Sequence, residues 1–120
     1  MRMWMVDPET MCRKHLLGEH VELHMFVGSI KRGVSMAGYL SGGLLEPASL
    51  WTRHDDLVTE MERRGYNHSS TLEPITLPDE WLGVMVDEVG SKEELHRRCP
   101  ECRRLADDYD KSRDNPDPVK

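Results

Sequence analysis

His15-Leu16-Leu17-Gly18-Glu19-His20-Val21-Glu22-Leu23-His24-Met25-Phe26-Val27-Gly28 is the stretch on which the fold turns. On a 100° helical wheel Leu16, Leu23 and Val27 share one face, and Ile30 extends it one turn further. The spacing predicts a helix from about Glu9 to Ile30, stopping before Gly33. Glu19 falls in the middle of the apolar face, and His15 and Glu22 fall on its edge. A surface helix seldom places this much His and Glu among Leu, Val and Phe, so the segment reads as the floor of a site. A carboxylate amid Leu16, Leu23 and Val27 has to be paired or protonated.

Outward from this helix the pattern stays helical. Residues 1–8 are apolar, end at Pro8 and read as an extended arm. Residues 33–48 are glycine-rich and read as a long loop. A second helix is expected from about Ser49 to Arg64, with Leu50, Leu57 and Met61 inward and Gly65 as its left-handed stop. His54 shares that inner face, which makes it, with His15, the expected partner of Glu19 and a support for the site. Asn67–Glu80 reads as loop. Ser91-Lys92-Glu93-Glu94 reads as a capping box opening a third helix, which Pro100 should end or kink. The expectation is an all-α, compact single domain of about three helices with long loops over residues 1–104. An acidic tail poor in apolar residues, expected to be disordered, follows from 105 to 120.

The chain has 120 residues, is 38% hydrophobic and 32% charged, and carries a net charge of −6. That length fits one domain with a small core. No run approaches a membrane span and no secretion signal is visible, so no membrane partner is expected. Its three cysteines argue against a disulfide framework and fit a reducing cytoplasm. Net acidity counts against duplex DNA, but patches rather than totals meet phosphates. Candidate patches are Arg2, Arg13-Lys14, Lys31-Arg32, Arg63-Arg64 and Arg97-Arg98.

Two further motifs carry chemistry. His96-x-x-Cys99-x-x-Cys102 resembles half of a zinc knuckle, which Cys12 or a histidine would have to complete. The same cysteines fit one helical stripe with Leu95 and Ala106, so a structural zinc and simple packing both stand. His54-Asp55 invites a metal-dependent phosphohydrolase of the HD type, with His15, His24 and His68 to hand. A non-catalytic interaction module, suited to the acidic charge, is the remaining class.

Three blocks in order carry a family resemblance. They are His15-Leu16, Glu19, Glu22-Leu23, Gly28 and Lys31-Arg32; then Leu50, Arg53, Leu57, Glu60 and Arg64-Gly65-Tyr66-Asn67; then Leu77-Pro78-Asp79-Glu80-Trp81. With them the chain resembles the pyrimidine-dimer DNA glycosylase/AP lyase family of the phage endonuclease V type. The resemblance implies a repair enzyme acting as a monomer on double-stranded DNA with a damaged or flipped nucleotide, and requiring no cofactor. It implies that the α-amino group of the first residue attacks C1′, expels the base and forms an imine. An α-amine suits this task because it ordinarily titrates at about 7.7–8.0. The register places Met1 as that nucleophile, retained because Arg2 follows it, and Glu22 as the catalytic glutamate. Arg2, Lys14, Lys31 and Arg32 match positions for DNA contact. Two phosphate-holding arginines of the family fall on Val21 and Met25, and its aromatic basic tail is replaced by Cys99-Pro100-Glu101-Cys102 and acidic residues. A changed lesion is therefore compatible with a kept scaffold.

Overall fold

The computed structural model describes residues 1–67 and 70–114, with side chains through residue 112. His68, weighed above as a metal ligand, and the expected tail at 115–120 lie outside the described residues. All regular structure among the described residues is helical. The helices are α1 (Arg13–Lys31), α2 (Ala37–Ser41), α3 (Leu50–Arg63), α4 (Glu88–Arg98) and α5 (Pro100–Asp114), with 3-10 turns at Pro8–Thr10, Pro47–Ser49 and Asp79–Trp81.

The first helix starts later than its sequence suggests. Asp7 Oδ1 accepts the Glu9 amide at 2.9 Å and caps a separate 3-10 turn opened by Pro8. Met11 then adopts an extended backbone, and Cys12 becomes the N-cap of α1. The helix ends as expected. Gly33 takes φ +77° and the Val34 amide reaches back to the Ser29 carbonyl at 3.0 Å, the geometry of a glycine-closed C-terminus. Gly65, at φ +86°, does the same for α3, with Tyr66 N–H on Met61 O at 2.8 Å.

Five helices rather than three result from two local causes. The glycine-rich stretch anticipated as loop holds the short α2, around which Met36 and Leu45 bury. Pro100 ends α4 and also opens α5, because a residue without an amide hydrogen fits a first helical turn. Helix α5 runs through residue 105, where the disordered tail was expected to begin. Arg104 bonds Glu101 three residues before it and Asp108 four after it, pairs that support an exposed helix. The capping box at Ser91 is also not used. Asp87 caps α4, accepting the Gly90 amide at 3.2 Å, and Ser91 lies buried inside the helix.

The inner face of α1 (Leu16, Glu19, His20, Leu23, Phe26, Val27) packs on that of α3 (Leu50, Arg53, His54, Leu57, Glu60, Met61). Helix α5 packs beside α4 and against the Pro8–Thr10 turn. The N-terminal arm threads between these layers, with Met3 and Trp4 buried. Its backbone is held throughout. Met3 N–H donates to Leu44 O at 2.8 Å, Ser91 Oγ donates to Trp4 O at 2.6 Å, and Arg53 donates to Val6 O at 2.7 Å. Met5 sits at φ +56°, a left-handed conformation costly for a side-chain-bearing residue. The arm is thus locked rather than frayed, which fixes where the chain's first residues lie.

Candidate active site at the amino terminus

The locked arm delivers Met1 and Arg2 to the edge of α1. The Met1 amine lies 3.9 Å from Glu22 Oε1, and the Arg2 backbone amide donates to the same oxygen at 2.6 Å. Gly18, one turn earlier, passes close to this carboxylate: a Cβ there would stand in ordinary contact, 4.0 Å from Glu22 Oε2. Met1, Arg2 and Glu22 line a cleft of about 390 Å³ with Trp4, His15, Leu44 and Arg98. Met1 and Glu22 are both only partly exposed, at 15% and 29%. An amine and a carboxylate therefore face each other across a part-buried cleft, where charge is screened less than at an open surface.

Two arginines supply positive charge. The Arg2 guanidinium stacks on Trp4 at 4.0 Å and reaches Ser91 Oγ at 3.2 Å, while its buried Nε has no hydrogen-bond partner. Burial, and next the neighbouring Arg98, lower the Arg2 pKa, against the opposing pull of Glu94, Glu19 and Glu22. A guanidinium stays charged at neutral pH even so. Arg98, the less evident member of the Arg97-Arg98 pair, pairs with Glu94 and lies 5.9 Å from the Trp4 ring. His15 lines the same cleft, edge-on to Trp4 at 5.9 Å. Burial, then Lys14 and Arg98, hold its pKa below the ordinary value despite Glu22.

The other expected phosphate contacts lie apart. Lys14 is exposed near the start of α1. Lys31 stands nine residues beyond Glu22, about 14 Å along the helix at 1.5 Å per residue, and pairs with Glu73 at 2.8 Å. Arg32 follows it, exposed. Val21 and Met25, where the family arginines would stand, are exposed at 54% and 49%. Arg63 and Arg64 are held by local partners. Both bond Glu60, and Arg64 also holds the Pro8 and Met11 carbonyls.

Glu19 has a different partner from those anticipated. Arg53, not His54 or His15, closes a two-point fork on it, Nε to Oε2 at 2.7 Å and Nη2 to Oε1 at 2.9 Å. Both side chains are buried. His54 instead packs with His20 and His24, ring centroids 5.0 and 5.1 Å away. Asp55 is 85% exposed, with its carboxylate 3.8 Å from His54 Nδ1. Of the described histidines that the HD reading drew on, His24 joins His54, together with His20, and His15 does not. Glu46 was missed altogether. It is buried, accepts the Val86 amide at 2.9 Å and bonds Ser49, anchoring the segment that leads into α4.

The cysteines also converge differently. Cys99 and Cys102 meet Cys12 and His15, with one ligand-type atom from each lying within 4.8 Å of every other. His96, the expected histidine of the motif, is replaced in this group by His15. The helix break at Cys99 turns its thiol toward the start of α1, while His96 stays on α4. Among the described residues no helix is long and apolar enough to cross a membrane.

Comparison with known proteins identifies a family. The family described as pyrimidine dimer DNA glycosylase matches residues 1–74, well over half of the chain. That span contains Met1, Arg2, Glu19, Glu22 and Arg53, and ends before the Leu77–Trp81 block and the cysteine pair. No curated protein and no solved structure matches the chain.

Proposed function

The chain belongs to the pyrimidine dimer DNA glycosylase family, and we propose that it is a DNA glycosylase with AP lyase activity that uses the Met1 amine as nucleophile. The observation that carries this reading is the Met1 amine 3.9 Å from Glu22 Oε1 in the part-buried cleft. The neutral amine's lone pair attacks C1′ of the damaged nucleotide. The glycosidic bond breaks and its electrons leave with the base. Loss of the amine protons and opening of the sugar at O4′, which takes up a proton, gives the imine. Removal of a C2′ proton then expels the 3′-phosphate and cuts the strand.

Glu22 serves two steps. Its charge stabilises the developing sugar cation, and its oxygens relay protons between the amine, O4′ and C2′. The Arg2 amide on Oε1 holds the carboxylate's orientation toward Met1. Arg2 and Arg98 flank the nucleotide's phosphates, with Lys14, Lys31 and Arg32 as outer contacts along the duplex. The Glu19–Arg53 fork supports the site through the arm, and His15 forms part of the cleft wall. The lesion is a pyrimidine dimer or a related damaged base. Exposed Val21 and Met25 in place of arginines favour a substrate held less by phosphate clamping than a dimer is. The protein acts as a monomer in the cytoplasm, a reducing compartment that suits its free cysteines.

The test uses the terminus itself. Adding one Gly-Ser pair before Met1 displaces the amine from Glu22 and should abolish cleavage of a duplex bearing one abasic site, with the helical signal unchanged. Cleavage at the original rate by the extended chain removes the Met1 amine from the mechanism.

A further inference from the structure

Cys12, His15, Cys99 and Cys102 have the composition and the spacing of a tetrahedral metal shell. Cys12 Sγ lies 3.2 Å from His15 Nδ1 and 3.8 Å from Cys99 Sγ, and Cys102 Sγ lies 3.7 Å from His15 Nδ1. Zinc holds sulfur at about 2.3 Å and imidazole nitrogen at about 2.0–2.1 Å, which spaces tetrahedral ligands by roughly 3.4–3.8 Å. These three separations fall close to that range, and all four ligand atoms lie within 4.8 Å of one another. Cys12 and Cys102 are buried, and none of the three cysteines is in a disulfide.

The surroundings aim backbone donors at the sulfurs. Each chelating pair forms one turn, Cys12-x-x-His15 and Cys99-x-x-Cys102. In each turn the later residue's amide points at the earlier sulfur, His15 N–H to Cys12 Sγ at 3.5 Å and Cys102 N–H to Cys99 Sγ at 3.4 Å. The Cys12 amide crosses to Cys102 Sγ at 3.2 Å. Cys12 is the N-cap of α1 and Cys99 directly precedes α5, so two helix N-termini converge on the cluster. The positive end of a helix suits the negative charge that a sulfur carries once it is bound to a metal. Simple core packing needs neither this convergence nor amides aimed at sulfur.

We propose that these four side chains bind one zinc ion as a closed structural site. Four protein ligands leave no position for water, so the metal takes no part in the cleavage chemistry. Its place in the fold states its purpose. Cys12 and His15 come from the span shared with the family, whereas Cys99 and Cys102 come from beyond residue 74. The zinc staples the α4–α5 pair onto the start of α1 in a chain whose core is small. It also fixes His15, a wall of the cleft, with Nδ1 on the metal and the rest of the ring toward Met1 and Glu22.

The proposal does not depend on the glycosylase reading, and its test reads metal rather than cleavage. Untagged full-length protein prepared with zinc should hold one zinc per chain by elemental analysis. Replacing zinc with cobalt should give the visible bands of a tetrahedral thiolate complex. Cys99→Ser should lose the metal. His15→Cys should keep it, with stronger sulfur-to-cobalt charge transfer, which guards against a Cys99→Ser variant that merely fails to fold. His24→Ala interrupts the separate cluster of His20, His24 and His54 and should leave the zinc content unchanged. Wild-type protein without bound metal overturns the proposal, as does zinc that survives Cys99→Ser but is lost in His24→Ala.

Discussion

Arg53 reaches from the inner face of α3 across the core to Glu19 on α1, closing both carboxylate oxygens at 2.7 and 2.9 Å and the Val6 carbonyl with its remaining nitrogen. One buried guanidinium thereby ties α1 and α3 to the N-terminal arm. The arm that carries Met1 to Glu22 is bound at Val6 by this tie.

Removing one half of the fork leaves an unpaired buried charge, which costs about 3–5 kcal/mol. Arg53→Met should therefore lower stability by that amount in a denaturant titration. Combining it with Glu19→Leu should recover most of the loss, because the pair is then replaced by apolar volume. A double variant as unstable as the sum of its single variants would show that the fork is not the coupling between these positions.

Glu22→Gln should reduce strand cleavage at an abasic site at least about 100-fold, the scale of a lost acid/base or electrostatic group. The amide oxygen can still accept the Arg2 N–H, so the melting temperature should hold. A variant that melts with the wild type and cuts at its rate would remove Glu22 from the chemistry.

Arg2→Met should weaken binding to abasic duplex and reduce the slope of log affinity against log salt by about 1, the signature of one lost phosphate contact. Lys31→Met should change the slope less, since Lys31 already pairs with Glu73. Equal slopes for Arg2→Met and the wild type would place Arg2 off the phosphate path.

Acid should loosen the α3 terminus through Glu60. Burial would raise its pKa, but hydrogen bonds from Arg63 and Arg64 outweigh burial and hold it below the ordinary value of 4.5. A depressed folded-state pKa contributes stability above the unfolded value, and that contribution is lost as pH falls below it toward the folded-state value. The melting temperature should drop in this window, and Glu60→Gln should flatten that part of the drop. An unchanged acid profile in Glu60→Gln would assign the loss to other carboxylates.

The physics of each element explains what was legible beforehand. The α1 stripe, the Gly33 and Gly65 stops and the edge position of Glu22 follow from local periodicity and backbone preference, so they could be read directly. Arg53 left a usable signal, since it shares the inner face of α3 with Leu50 and Leu57. A charge there had to find a buried opposite charge, and Glu19 was the one on the facing stripe. The nearby histidines drew attention away. The choice of His15 over His96 depends on a contact between residues 87 positions apart and on the helix break at Cys99, neither of which local spacing encodes. Composition pointed to a disordered end from residue 105, yet ion pairs one turn apart and the burial of Cys102 and Ala106 carry α5 onward. The link between Met1 and Glu22 was visible only through family resemblance, because nothing local in the chain folds the first residue back onto the twenty-second.

Borohydride trapping tests the central claim most directly. The full-length, untagged protein would be mixed with a duplex carrying one abasic site and, separately, one carrying a thymine dimer, then reduced and digested for mass mapping. The account predicts a covalent protein–DNA adduct on the abasic duplex, located at the Met1 amine. No adduct with the Met1 amine free, or an adduct mapped to a lysine such as Lys14, would contradict it.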